Sequence, residues 1–202
     1  MRHFLWGFAV LTALACSHPE VREDELSMHP DSGKVALVIM RPGKHLPGQA
    51  RAPRTAVFRI TPEGQEFIAN LNKGEKVTYT SPPGDQLFMV IGGENADFMQ
   101  AHLDAGKTYY AFVEVRMGVL RPRFSLFPVR QDSSEKYSIA SGDFRDCFAG
   151  CKERDAGENQ EWYEANKPSV DHKRAAFMRR WDSRGDEYKE RKIMNPEDGV
   201  AP

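Results

Sequence analysis

The chain has 202 residues, a formal net charge of −1, 40% hydrophobic residues and 28% charged residues. That length suits one domain, or one domain with an extension, and the apolar fraction excludes a fully disordered chain. Near-neutral charge argues against a dedicated nucleic-acid binder, which carries a strong basic excess.

Residues 1–15 read MRHFLWGFAVLTALA, with Arg2 as a short basic start and Phe4 to Ala15 as an apolar run. The run is too short for a hydrocarbon core of about 30 Å, which takes about 20 residues to span, and it has the proportions of a signal peptide. Thr12-Ala13-Leu14-Ala15-Cys16 then places a small residue directly before a cysteine. This resembles the lipobox of bacterial lipoproteins, which implies cleavage before Cys16 and acylation of that residue. Two or more acyl chains, at about 0.8 kcal/mol per buried CH₂, hold a domain stably on a membrane. The alternative is an ordinary secretory signal with a coincidental cysteine. Ser17 after Cys16 resembles the outer-membrane sorting signal of enterobacterial lipoproteins. Residues 16–33 are mostly polar and read as a tether between membrane and domain.

From residue 34 to 130 the hydrophobic period is two. Val35 to Met40 is a short continuous apolar run, stopped by Arg41-Pro42-Gly43, and reads as a strand buried on both faces. Thr55 to Ile60 and Glu66 to Leu71 flank Pro62-Glu63-Gly64 as a hairpin. Lys76 to Thr80 alternates, Ser81-Pro82-Pro83-Gly84 makes a rigid corner, and Gln86 to Ile91 and Phe98 to Leu103 are further strands. Lys107 to Arg116 is the strongest strand, with Tyr109, Ala111, Val113 and Val115 on one face. Arg123 to Val129 closes the series. About seven to eight regularly spaced strands without intervening helices predict a mainly β protein, an antiparallel β-sandwich with a helical C-terminal extension.

Gly33-Lys34 before a strand ending in Arg41-Pro42, the Ser81-Pro82-Pro83-Gly84-Asp85 corner, and Leu103-Asp104-Ala105-Gly106-Lys107-Thr108-Tyr109-Tyr110 before the best strand carry a family resemblance. In this order they resemble the bacterial DUF2846 lipoprotein domains, which look like small PEGA-type and carboxypeptidase-regulatory-like β-sandwiches. The resemblance covers roughly half the chain. It rests on turn motifs, implies a fold, and brings no catalytic residues.

Residues 131–193 are densely charged and read as helical. Ser141-Gly142-Asp143 can cap a helix that places Phe144, Cys147, Phe148 and Cys151 on one face. A short helix from Glu158 to Asn166 is expected to stop at Lys167-Pro168-Ser169, with a further helix capped by Ser169 or Asp171. That helix carries Phe177, Trp181 and Tyr188 as an aromatic stripe. The stripe either packs the helix on its neighbours or forms, with Lys173, Arg174, Arg179, Arg180 and Arg184, a docking face for a partner or an anionic glycan. Residues 194–202 read as a disordered tail.

With Cys16 assigned to lipid, Cys147 and Cys151 remain. Behind a signal peptide a disulfide is the default. A regular helix would hold the pair at the upper edge of the permitted separation, so either the helix distorts near Gly150 or both stay thiols. No metal-ligand spacing is present, and no cofactor motif. Of the candidate acids and bases, Glu114 in the strongest strand and His102 read first as surface or paired groups and second as catalytic ones. Arg116, Arg121 and Arg123 cluster about a turn and could bind an anion or pair with carboxylates. Together these observations lead to the expectation of a non-enzymatic binding or structural module. It would be lipid-anchored at the outer membrane, facing the periplasm or the cell surface, with an envelope protein or peptidoglycan as partner and no nucleic acid. The rivals are an enzyme or enzyme accessory acting on cell-envelope glycan, and a subunit of an envelope protein complex.

Overall fold

Eight strands follow one another before the first α-helix: β1 (Val35–Arg41), β2 (Thr55–Thr61), β3 (Gly64–Leu71), β4 (Glu75–Ser81), β5 (Gly84–Gly92), β6 (Asn95–Leu103), β7 (Thr108–Met117) and β8 (Pro122–Pro128). The computed structural model describes residues 21–43, 53–117 and 122–202. Three helices and two short strands come after: α1 (Gly142–Gly150), β9 (Lys152–Arg154), α2 (Gln160–Asp182), α3 (Asp186–Glu190) and β10 (Ile193–Met194). The first sheet has the order β8-β7-β1-β4-β9 and the second β10-β6-β5-β2-β3.

The two sheets face each other across one core, to which Val35, Leu37 and Ile39 of β1, Tyr109 and Ala111 of β7, and Phe88 and Val90 of β5 contribute. Strand β1 is apolar throughout because its other face is covered too. Val38 and Met40 pack with Tyr110, Phe112 and, from α1, Phe144 and Cys147. The outer face of the second sheet, with Ala56, Phe58, Met89, Ile91 and Phe98, is likewise covered by Tyr163, Val170 and Trp181 of α2. The layers therefore run helix, sheet, sheet, helix, with the outer face of each sheet covered in part.

The expected pure antiparallel arrangement does not hold: β1–β7, β4–β9 and β6–β10 pair in parallel. A parallel pair needs a long crossover. Between β1 and β7 that crossover is the excursion through β2 to β6, so no helix is required. Strands β9 and β10 arrive after helices and are free to join either way.

Three further expectations are corrected. Helix α2 does not stop at Lys167-Pro168-Ser169 but runs through Pro168. Proline inside a helix costs about 3 kcal/mol. Burial of Val170 and Trp181 beyond it contributes about 1.5 to 3 kcal/mol each, enough to keep the helix on the sheet. The terminal segment packs against the sheets as far as Val200. Met194 is fully buried, Thr108 and Val200 exchange backbone hydrogen bonds of 2.9 and 2.8 Å, and Arg130 Nη1 donates to Asp198 at 2.5 Å. The described end of the expected tether also packs. Leu26 is buried, its carbonyl accepts from the Tyr110 hydroxyl, and Met28 N–H donates to Thr108 Oγ1 at 2.9 Å.

On the β8 edge of the first sheet, side chains replace a further strand. Asn95 Nδ2 donates to Phe124 O at 2.7 Å and Asn95 Oδ1 accepts from Phe124 N at 2.9 Å. Asp97 Oδ2 accepts from Leu126 N at 3.1 Å, and Lys192 Nζ donates to Leu126 O at 2.7 Å. Unpaired edge groups are a template for aggregation, and here they are occupied.

Candidate functional site

Helix α2 lies on the second sheet by the stripe Tyr163, Val170 and Trp181. The adjacent stripe, Trp162, Asn166, Ser169 and Lys173, follows the spacing i, i+4, i+7, i+11 and so shares one helix face. It forms one wall of a groove of about 280 Å³. Arg54, Ala56, Ile91, Gly92 and Gly93 line the rest. Trp162 is 37% exposed, an unusual position for so large an apolar ring. It leans on Phe67, with ring centroids 6.3 Å apart.

Local chemistry fixes the groove. Asn166 Nδ2 donates to Trp162 O at 2.8 Å, and Lys173 Nζ donates to Gly93 O at 2.7 Å. Gly93 takes φ +58, a conformation glycine adopts without strain. Gly92 is glycine for a packing reason on the opposite face: a Cβ there would lie 2.2 Å from Phe124 Cδ2. The register sets Ile91, Ala56 and Asn70 side by side across three strands. Asn70 is buried, and its Nδ2 has no hydrogen-bond partner among the described residues. Among the described residues, no acidic side chain lines the groove.

The residues singled out in sequence do not assemble into one site. Glu114 and Arg116 lie on the outer face of β7, where Glu114 Oε1 meets Lys136 Nζ at 2.7 Å and Glu114 Oε2 meets Arg116 Nε at 3.2 Å. Burial pushes the Glu114 carboxyl up, but Lys136, Tyr137 and Arg116 outweigh it and hold the group below its ordinary value. Burial, with help from Glu114, pushes the Tyr137 hydroxyl up to about 12. His102 belongs to the second sheet, where its Nδ1 meets Asp85 Oδ1 at 2.5 Å in an exposed pair. Glu114 and His102 therefore share no cleft.

Arg116 and Arg123 are opposite partners across β7 and β8. Arg116 is also bonded to Ser125 Oγ at 2.8 Å and lies 5.7 Å from the Phe127 centroid. Arg121 and Cys16 lie outside the described residues. Trp181 is only 6% exposed, with its ring 6.0 Å from Phe98 and 6.2 Å from Tyr188, so it packs α2 onto the second sheet. Cys147 and Cys151 are joined by a disulfide with a Cα separation of 4.6 Å. The helix ends at Gly150, and the Cys151 N–H still donates to Cys147 O at 2.8 Å, so the pair spans its last turn.

Sequence reasoning passed over two features. One is the Trp162 groove. The only local signal for it was the Trp162-Tyr163 pair, in which either ring could have faced the sheet. The other is the buried Lys192 amine, 2.6 Å from Asp97 Oδ2 and 3.4 Å from the Phe127 centroid. Burial lowers it to about 8 even though Asp97 opposes the change. Among the described residues, no group of three or more His, Cys, Asp or Glu is placed to hold a metal ion, and no helix is long and apolar enough to cross a membrane. No family model matches the chain, and no curated protein matches it.

Proposed function

We propose that this chain is a lipid-anchored lipoprotein of the cell envelope, tethered at the outer membrane through Cys16 and acting there as a non-enzymatic binding module. The observation that carries the binding role is the groove beside α2. It offers an exposed aromatic ring, amide and hydroxyl groups and two cationic side chains, on a scaffold fixed by a continuous helix and a five-stranded sheet. Binding sites of this make-up combine a small number of polar groups with apolar surface. The acid–base candidates are engaged elsewhere: Glu114 by Lys136 and Arg116, and His102 by Asp85. The anchoring role rests on Ala15-Cys16-Ser17 after the apolar run, and the resemblance to DUF2846 lipoprotein domains agrees with it.

Growth of the producing cells in radiolabelled palmitate tests the anchor. The wild type becomes labelled and moves with the membrane fraction, whereas Cys16→Ser does neither. Equal labelling of both would end the lipoprotein reading. Incubation of the full-length protein with purified envelope glycan releases no soluble fragments. Sustained release would transfer the assignment to an enzyme.

A further inference from the structure

We propose that the groove between α2 and the β2–β5 end of the second sheet binds a saccharide bearing a carboxylate, with Trp162 as its stacking platform and Arg54 and Lys173 as its anion contacts. The inference rests on the binding-module reading above and names its ligand class.

The flat face of an exposed indole is electron-rich. The C–H bonds on one face of a pyranose ring are weakly positive and all point the same way, so a sugar ring stacks on such a face while its hydroxyls stay at the periphery. Those hydroxyls need short, two-way hydrogen-bonding groups. Asn166 and Ser169 stand one and two turns along the same helix face as Trp162. Asn166 spends one amide N–H on Trp162 O, which leaves its Oδ1 to accept.

The charge at the rim decides between a neutral and an acidic sugar. Lys173 gives one of its three N–H bonds to Gly93 O, and Arg54 gives its Nε–H to Asn72 Oδ1 at 3.2 Å. Both retain donors, and no carboxylate among the lining residues competes for them. An arginine fork suits a carboxylate in particular. A groove of about 280 Å³ suits a single sugar ring. The opposite reading, an apolar ligand, would leave Asn166 Oδ1 and Ser169 Oγ facing it without a partner.

The test is calorimetric titration of the full-length protein in detergent with three disaccharides. These are N-acetylglucosaminyl-N-acetylmuramic acid (a lactyl carboxylate), the hyaluronan disaccharide (a uronic carboxylate) and neutral chitobiose. At least one acidic disaccharide binds, about tenfold more tightly than chitobiose, and the one that binds identifies the source of the acid. Trp162→Ala weakens it by about tenfold or more. Arg54→Gln narrows the gap between the acidic sugar and chitobiose by severalfold, Arg54→Gln with Lys173→Gln closes it, and both leave chitobiose unchanged. Trp162 and Arg54 are exposed, so both variants keep the wild-type circular dichroism. No binding by the wild type, or equal binding by Trp162→Ala, overturns the saccharide site. Equal affinity for chitobiose and the acidic sugars overturns the carboxylate. Palmitate labelling at Cys16 is independent of all these outcomes, so the site can fail while the anchored reading stands.

Discussion

Lys192 holds its amine between Asp97 Oδ2 at 2.6 Å, Leu126 O at 2.7 Å and the ring of Phe127. Asp97 in turn accepts from the Tyr188 hydroxyl at 3.0 Å and from Leu126 N. One residue pair thus joins β6, β8 and the segment between α3 and β10. Breaking a buried pair strands the remaining charge, which costs about 3–5 kcal/mol. Lys192→Met and Asp97→Asn should each lower the free energy of unfolding in urea by that order. The double variant should lose clearly less than the sum, because neither charge is then left alone. The pH dependence follows from the lowered amine. Its value is about 8 in the folded protein, whereas a free lysine titrates near 10.4. Between those values the unfolded chain binds more protons, so this group makes stability rise with pH. Over pH 8 to 10 the wild type should gain about 2 kcal/mol relative to Lys192→Met. A flat difference across that range would mean that the amine is not desolvated.

At the scale of elements, the first eight strands were legible because their signals are local. The alternation of Lys107 to Arg116, the Pro62-Glu63-Gly64 turn and the Ser81-Pro82-Pro83-Gly84 corner each act within a few residues, and β7, β2–β3 and β4–β5 form where they indicate. Helix α2 was not legible, because Pro168 gives a local stop that a distant surface overrides. Tyr163 on one side of it stacks on Phe67 with centroids 5.7 Å apart, and Trp181 on the other side meets Phe98. The same distance from sequence to surface exchanged the roles of the tryptophans. Which ring of α2 faces the sheet depends on Phe58, Phe67 and Phe98, none of which is near it in the chain. Pro168→Ala restores a backbone donor on an exposed part of the helix. It should raise stability by about 2 kcal/mol, the helix penalty of proline less its benefit in the unfolded chain. A thermal midpoint below that of the wild type would contradict the continuous helix.

The whole molecule is closed at its margins by the last residues of the chain. Ile193–Met194 adds a parallel strand to β6, Arg130 pairs with Asp198, and Gly199 sits against Tyr109, where a Cβ would approach the ring to 2.5 Å. Removal of 194–202 should therefore destabilise the protein globally and not merely shorten it. Loss of the buried Met194 alone is worth about 2–5 kcal/mol. Urea unfolding of the truncated chain should show a midpoint shift of that size, whereas a dispensable tail would give none. The groove is a whole-molecule feature for the same reason. Its wall comes from α2 and its floor from β2 and β5, and Gly92 is kept small by Phe124 of the opposite sheet.

By itself the sequence determined the strand series, the turns between them, the helix cap at Ser141, and the features of residues 1–16 that suggest an anchored protein. These depend on period, composition and conformational preference, all of which act over a few residues. Only the tertiary structure decided the parallel pairings, the passage of α2 through Pro168, the burial of Trp181 and exposure of Trp162, and the fixing of Lys192 and the final residues. Each of those is set by contacts between residues far apart in sequence, where the free energy of burying a face outweighs the local preference of the residues that bear it.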